Sequence, residues 1–244
     1  MKSLVFAAVL MLLAGPVLGQ EPPAEEPELI VVEKELALSE TEGMLYGVEV
    51  TMAEGTLEIE GGAEGLVDAE FQVEDSFFVP DFVYEEEPEE LEAWLEIEQP
   101  QRPGEFPETN TWELNLNSEA LAELEVNLSV GDLNLELGWM PELESVECEV
   151  GVGDVSCDLS GAWEHSMDGI GFSIGVGNID LVVPDNVGVR VEVESELGEV
   201  EVDGLEPDDE GGYVNSMWDE SDENLEVEVS VGIGSVYIEE AVRE

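Results

Sequence analysis

The stretch VECEVGVGDVSCDL, residues 146–159, decides the fold. Val146, Cys148, Val150 and Val152 alternate with Glu147, Glu149 and Gly151, and after Gly153-Asp154 the apolar set changes parity to Val155, Cys157 and Leu159. Alternation with period two marks a strand with one buried face. A change of phase at a Gly-Asp pair therefore means two strands that both turn their apolar side inward on either side of a sharp corner. Glycine suits the corner because it reaches backbone angles closed to residues with a β-carbon.

The same event recurs along the chain. Val126, Leu128 and Val130 give way at Gly131-Asp132 to Leu133, Leu135 and Leu137, and Phe172, Ile174 and Val176 give way at Gly177-Asn178 to Ile179 and Leu181. Val191, Val193 and Leu197 switch at Gly198-Glu199 to Val200 and Val202, Val231 and Ile233 at Gly234-Ser235 to Val236 and Ile238, and Val48, Val50 and Met52 at Gly55-Thr56 to Leu57 and Ile59. Along Val187 to Val193 the intervening Arg190, Glu192 and Glu194 are expected to face solvent. The corners from Gly131 to Gly198 are 22, 24 and 21 residues apart, and a step of 36 to Gly234 takes in an acidic loop near residues 204–222. Helical periodicity is nearly absent; only Glu89 to Glu96 offers a short helical turn. Gly-Asp, Gly-Asn and Gly-Ser also suit two-residue hairpin turns, so a meander fits the pattern. The near-constant step favours an all-β solenoid of stacked strand–corner–strand rungs.

Other segments point the same way. Gly61-Gly62-Ala63-Glu64-Gly65-Leu66 with Ala69 and Phe71, then Trp112-Glu113-Leu114, the successive Gly-x-Gly corners and Gly211-Gly212-Tyr213-Val214-Asn215 together resemble the toast-rack family. These are exported or membrane-tethered domains of cell-envelope stress regulators and adhesin-like proteins. The likeness spans about residues 36–240, with an N-terminal part over 36–112 and the regular repeats over 113–240. It implies a single-chain right-handed β-solenoid without catalytic activity. The chain differs from the regulators in showing no attached transmembrane segment, which argues against direct signalling.

Composition narrows the function. Sixty-three Asp and Glu stand against five Lys and Arg and one His, a net charge of −58, while 43% of residues are hydrophobic. The apolar fraction supports a packed core. The charge repels phosphate backbones and anionic headgroups, so nucleic-acid binding and peripheral membrane docking are excluded. Runs such as Glu85-Glu86-Glu87 and Asp208-Asp209-Glu210 suit a high-salt, halophilic setting, in which self-repulsion is screened.

Residues 1–19 read as a signal peptide, with Lys2, an apolar run from Leu4 to Ala14 and cleavage near Gly19. A Pro/Glu-rich linker follows over 20–35. No later apolar stretch is long enough to span a bilayer, so a secreted or periplasmic protein is expected after cleavage.

Candidate chemistry is sparse. Gly171-Phe172-Ser173-Ile174-Gly175 matches G-x-S-x-G, but a nucleophile elbow needs a helix after the turn and a later His. Here a strand follows and the one histidine, His165, precedes Ser173. Cys148 and Cys157 are either a disulfide, as an oxidising compartment allows, or two small apolar core residues. Asp154 with Asp158, and Asn178 with Asp180, lie beside corners, but without the Gly-Gly-x-Gly-x-Asp repeat they define no calcium site. No cofactor or dedicated metal is expected, only loose Ca²⁺ or Mg²⁺ association with carboxylates. Trp139, Trp163 and Trp218 fall in loops between strand pairs, where they either anchor a partner or plug the solenoid edge.

The expected function is therefore non-enzymatic recognition, adhesin-like, of an envelope protein or glycan, with cations as a bridge in some cases. A filament-forming structural solenoid and a polysaccharide-processing enzyme are the alternatives. The second lacks a basic cleft, because Lys34, Arg102, Arg190 and Arg243 are scattered.

Overall fold

The structure is a computed structural model and describes residues 8–10, 29–101, 109–138, 140–161, 163, 165–218 and 220–241. Of residues 1–19, expected as a signal peptide, only Ala8–Leu10 is described, as a short strand antiparallel to Ile30–Leu36; the rest of that segment and most of the linker lie outside the described residues. Among the described residues, eighteen strands form one continuous sheet of mixed parallel and antiparallel pairing. In chain order they are β1 (Ala8–Leu10), β2 (Ile30–Leu36), β3 (Leu45–Gly61), β4 (Val67–Val73), β5 (Asp81–Glu87), β6 (Glu92–Glu98), β7 (Asn110–Leu116), β8 (Leu121–Glu136) and β9 (Ser145–Val152). Then come β10 (Val155–Asp158), β11 (Met167–Val176), β12 (Ile179–Val183), β13 (Gly188–Leu197), β14 (Val200–Asp203), β15 (Glu206–Pro207), β16 (Tyr213–Val214), β17 (Asn224–Ile233) and β18 (Val236–Glu240).

The sheet has two wings that meet along a line of glycines. In the first wing, β6, the first half of β3, the first half of β8, β9, β11, β17 and β13 pair in parallel in that order. In the second, β7, the second half of β3, the second half of β8, β10, β12, β18 and β14 do the same. The two strands flanking a Gly corner thus belong to different wings and pair with neighbouring rungs. β9 bonds β8 and β11, which is incompatible with a hairpin turning at Gly153. Antiparallel strands finish the edges: β5 beside β6, β2 and β4 beside β7, and β16 with β15 beside β13.

Corner glycines stack on one another. A β-carbon on Gly131 would lie 1.7 Å from the carbonyl oxygen of Gly55, one on Gly153 1.6 Å from that of Gly131, and one on Gly177 1.7 Å from that of Gly153. The column continues with Gly234 on Gly177 at 1.6 Å and Gly198 on Gly234 at 1.5 Å. All six hold φ between 141° and 159°, so both conformation and crowding demand glycine. The column also shows that spatial order departs from chain order: the β17–β18 rung inserts between β11–β12 and β13–β14. The long step to Gly234 is the cost of that crossover, and its loop supplies β15 and β16 to cover the outer edge of β13.

Inward rows from both wings form one core. One column runs Val50, Val126, Cys148, Phe172, Val229 and Val193; another runs Ile59, Leu135, Cys157, Leu181, Ile238 and Val202. Trp112 and Phe71 are wholly buried and meet edge to face at 5.3 Å.

Several sequence expectations need correction. The linker does not reach residue 35, because Ile30–Leu36 forms β2 and buries Val32 and Leu36. Lys34 on that strand is half-buried, with its ammonium 4.2 Å from the Phe82 ring centre; burial lowers its pKa against the pull of Asp81. The segment expected as a helical turn, Glu89 to Glu96, is a turn followed by β6. Arg190 is buried, not solvent-facing: the β15–β16 lap lies over β13, and Asp208 accepts from Arg190 Nε at 2.8 Å while Glu192 pairs with Nη1. Finally, Val130, Val152, Val176, Leu197 and Ile233, expected inside, are exposed. In the rung that decides the fold, Gly151 and Val152 are exposed in succession. The alternation thus breaks before the positive-φ glycine, which leaves the last apolar residue exposed at the corner.

Candidate recognition surface

Outward rows are continuous columns as well. Across the first wing, Glu96, Glu49, Glu125, Glu147, Gly171, Glu228 and Glu192 stand in register, six carboxylates interrupted once by a glycine. Adjacent strands lie about 4.8 Å apart, and like charges directly opposite one another repel. Burial first, and then the carboxylates of Glu228, Glu125 and Glu149, raise the pKa of Glu147 above the usual range. Glu49 is raised in the same way by burial and by Glu125, Glu96 and Glu98, and Glu113 on the other wing by burial and by Glu70, Glu58 and Glu60.

Gly171 makes a gap in the column. Its missing side chain leaves room for Glu147, whose Oε2 would lie 2.5 Å from a β-carbon there. The result is a shallow depression of about 360 Å³ floored by Gly171, Ser173 and Ser230 and walled by Glu147, Glu149, Glu192, Glu194 and Glu228. Ser173 is exposed on β11, opposite Glu149 and Ser230, so the G-x-S-x-G match is a run of strand residues. His165 lies elsewhere, with Nε2 2.7 Å from the Leu143 carbonyl. Among the described residues, no group of three or more His, Cys, Asp or Glu could hold a metal ion.

The polar residues after the Gly153 and Gly177 corners have a different task. Asp154 Oδ1 accepts from the backbone N–H of Asn178 at 2.9 Å and from its Nδ2 at 2.8 Å. Asn178 Oδ1 in turn accepts from the N–H of Ser235 at 3.0 Å. These side chains tie one rung to the next, and Asp158 accepts from the N–H of Ser160.

Of the loop aromatics, Trp139 lies outside the described residues. Trp163 is buried, donates Nε1–H to the Leu159 carbonyl at 2.6 Å and meets His165 edge-on, so it plugs the wing and has no face left for a partner. Trp218 is half-buried, with its N–H on the Asn215 carbonyl at 3.3 Å. Trp94, which the loop argument passed over, is exposed on β6 and packs its indole against Gly47. Cys148 and Cys157 are free thiols in this structure, both buried and unbridged, and burial raises the pKa of each.

Sequence reasoning also missed one feature of this surface. Glu54, Val130, Val152, Val176, Ile233 and Leu197 occupy one register column immediately before the corner glycines, and the five aliphatic members are between 44% and 65% exposed. Beside it runs a column of Ser129, Gly151, Gly175 and Gly232. β-Carbons on these three glycines would lie 2.5–2.6 Å from the carbonyl oxygen of the neighbouring rung.

A two-winged all-β sheet with stacked glycine corners and outward glutamate rows defines a class of repeat-built domain. The chain belongs to the toast-rack family: residues 28–182 match the domain described as N-terminal domain of toast_rack, DUF2154. Residues 130–238 also match the C-terminal domain described as cell wall-active antibiotics response LiaF. Among solved structures, a putative cell adhesion protein from Clostridium sporogenes aligns with a TM-score of 0.76 at 25% identity, covering 88% of this chain and all of that one. A putative adhesin from Bacteroides fragilis aligns with a TM-score of only 0.34 at 10% identity over 90% of this chain and all of that one, too low to support a shared fold. No curated protein matches the chain.

Proposed function

We propose that the chain is an exported, non-enzymatic recognition protein of the cell envelope, acting through the rigid acidic face of a right-handed β-solenoid. The single observation that carries this reading is the in-register glutamate column on the first wing. Folding there tolerates repulsion among neighbouring carboxylates, and a fixed array of one sign favours partners of opposite charge. The similarity to a structure described as a putative cell adhesion protein supports the same class. Partners of this face are basic protein surfaces, or envelope glycans bridged by Ca²⁺ or Mg²⁺ held loosely among the carboxylates. A filament built by end-to-end stacking is the weaker reading, because β16 already occupies the outer edge of β13.

The test is affinity capture from an envelope extract by the chain starting at Gln20, at high salt, with and without EDTA. Retention of one protein in stoichiometric amount despite EDTA supports protein recognition, and retention of glycan that chelation abolishes supports a cation-bridged adhesin. Capture of nothing in either condition overturns the reading.

A further inference from the structure

The aliphatic column at the corners belongs to neither the core nor the acidic array. Val130, Val152, Val176, Ile233 and Leu197 lie side by side on five successive rungs and are exposed. With the neighbouring Ser129, Gly151, Gly175 and Gly232 they form a strip two residues wide that carries no carboxylate across four rungs. On a chain with 63 acidic residues this is the conspicuous bare area. Exposed apolar patches rimmed by polar residues mark interaction sites.

Carboxylates stand at half of the positions that border the strip, on both sides. Glu149 and Glu194 stand on the first-wing flank, and Asp132, Asp154 and Glu199 on the second-wing flank. A partner that covers the aliphatic column therefore meets carboxylates on both flanks at the β9 and β13 rungs, with Ser173, Ser230, Asn178 and Ser235 on the two rungs between them. A second copy of this chain would bring the same carboxylates against them, whereas a basic segment would neutralise them.

Spacing selects the shape of that segment. Rungs repeat about every 4.8 Å, so five of them extend about 19 Å. An α-helix rises about 1.5 Å per residue and returns an apolar residue to one face every 3.5 residues on average, or about every 5.3 Å. Laid across the strands, such a helix stays within about 2 Å of register over the whole column. An extended strand repeats its face every 6.8 Å or so and falls out of step after two rungs. The glycine column alongside offers flat backbone where a helix can approach closely.

We propose that the column from Val130 to Leu197 is a docking ridge for a basic amphipathic helix of a protein partner. Its aliphatic face covers the ridge, and its Lys or Arg residues on either side meet the bordering carboxylates. The inference deepens the recognition role proposed above and rests on it, adding the place and the chemistry of one partner.

A synthetic 18-residue peptide of Leu, Ala and Lys, with its leucines on one helical face, provides the probe; a second peptide of the same composition has them scattered around the helix. Both are titrated by calorimetry into the full chain and into V152T/V176T/I233T, whose changes are all at exposed positions and whose fold is checked by circular dichroism and thermal melting. The ridge requires that the one-faced peptide bind the unmodified chain at least tenfold more tightly than either the scattered peptide or the triple variant does. Equal binding of both peptides, or no loss in the well-folded triple variant, overturns the ridge and leaves only charge attraction. Self-association that the triple variant abolishes in sedimentation also overturns it, in favour of a second copy as the occupant. Envelope capture that persists in the triple variant keeps the broader recognition role while removing the ridge from it.

Discussion

Asp154 and Asn178 lock adjacent rungs together: one carboxylate oxygen of Asp154 accepts both the backbone N–H and the side-chain Nδ2–H of Asn178, at 2.9 and 2.8 Å. The corner residue after glycine therefore serves the stack of rungs as much as the turn itself. Asp154→Ala removes both bonds and leaves an N–H to be satisfied by solvent, a loss of about 1 kcal/mol. Asp154→Asn keeps an acceptor in place and should recover most of it. Chemical denaturation of the two variants checks this, and equal loss in both would show that the acceptor is not the cause.

Gly153 is the least replaceable position beside it. Alanine there would place its β-carbon 1.6 Å from the Gly131 carbonyl oxygen at a φ of 153°. Neither rung can move away, because Gly177 packs on Gly153 in the same manner. Gly153→Ala is expected to cost more than about 4 kcal/mol, at the extreme of single substitutions, and to leave the chain in the insoluble fraction. Gly62→Ala is the control: it shares a positive φ of 126°, but nothing lies within 4 Å of the added carbon. It should remain soluble with a lower Tm.

These two positions also show how far the sequence could be read. The parity change at each Gly-x pair announced the corners, and the stacked glycines place all six in one column. Counting by twos failed one residue early: in Gly151-Val152-Gly153 the turn starts before the second glycine, so Val152 leaves the core although its parity says otherwise. The order of rungs was not legible, because β17 satisfies the same alternation whether it follows β13 or slips between β11 and β13. Arg190 misled for a related reason. Its outward parity is correct, but burial depends on the β15–β16 lap, which the local pattern around Arg190 does not contain. The glutamate column was visible only as composition, since register between distant strands decides which carboxylates become neighbours.

The two thiols make a clean chemical prediction. Cys148 stacks between Val126 and Phe172 and Cys157 between Leu135 and Leu181, both buried and free. Burial raises their pKa values, which suppresses the reactive thiolate. A thiol reagent at neutral pH should label neither in the native chain and both after unfolding in guanidinium without reductant. Failure to label the unfolded chain would mean that a disulfide forms in the protein as isolated from an oxidising compartment.

Stability should rise on mild acidification, opposite to what salt-bridged carboxylates produce. Glu49, Glu113 and Glu147 each have a folded-state pKa raised above the ordinary 4.5, through burial and then neighbouring glutamates. A raised pKa means that the folded chain binds the proton more tightly than the unfolded one, so protonation favours folding. Their full contribution is present below pH 4.5 and is lost as pH climbs through the raised values. Asp208 has the opposite sign, since its hydrogen bond from Arg190 lowers its pKa, but that contribution fades only as pH falls below the ordinary 3.8. In low salt the Tm at about pH 5 should therefore exceed that at about pH 7.5. In about 1 M salt, where the screening length is near 3 Å, the gap should narrow. Glu147→Gln removes one member of the column and should raise the neutral-pH, low-salt stability by about 0.5 kcal/mol, or roughly 1–2 °C. Differential scanning calorimetry at both pH values and both salt concentrations measures all of these. A Tm that falls steadily from pH 7.5 to 5 in low salt would show that repulsion along the column does not limit the stability of the fold.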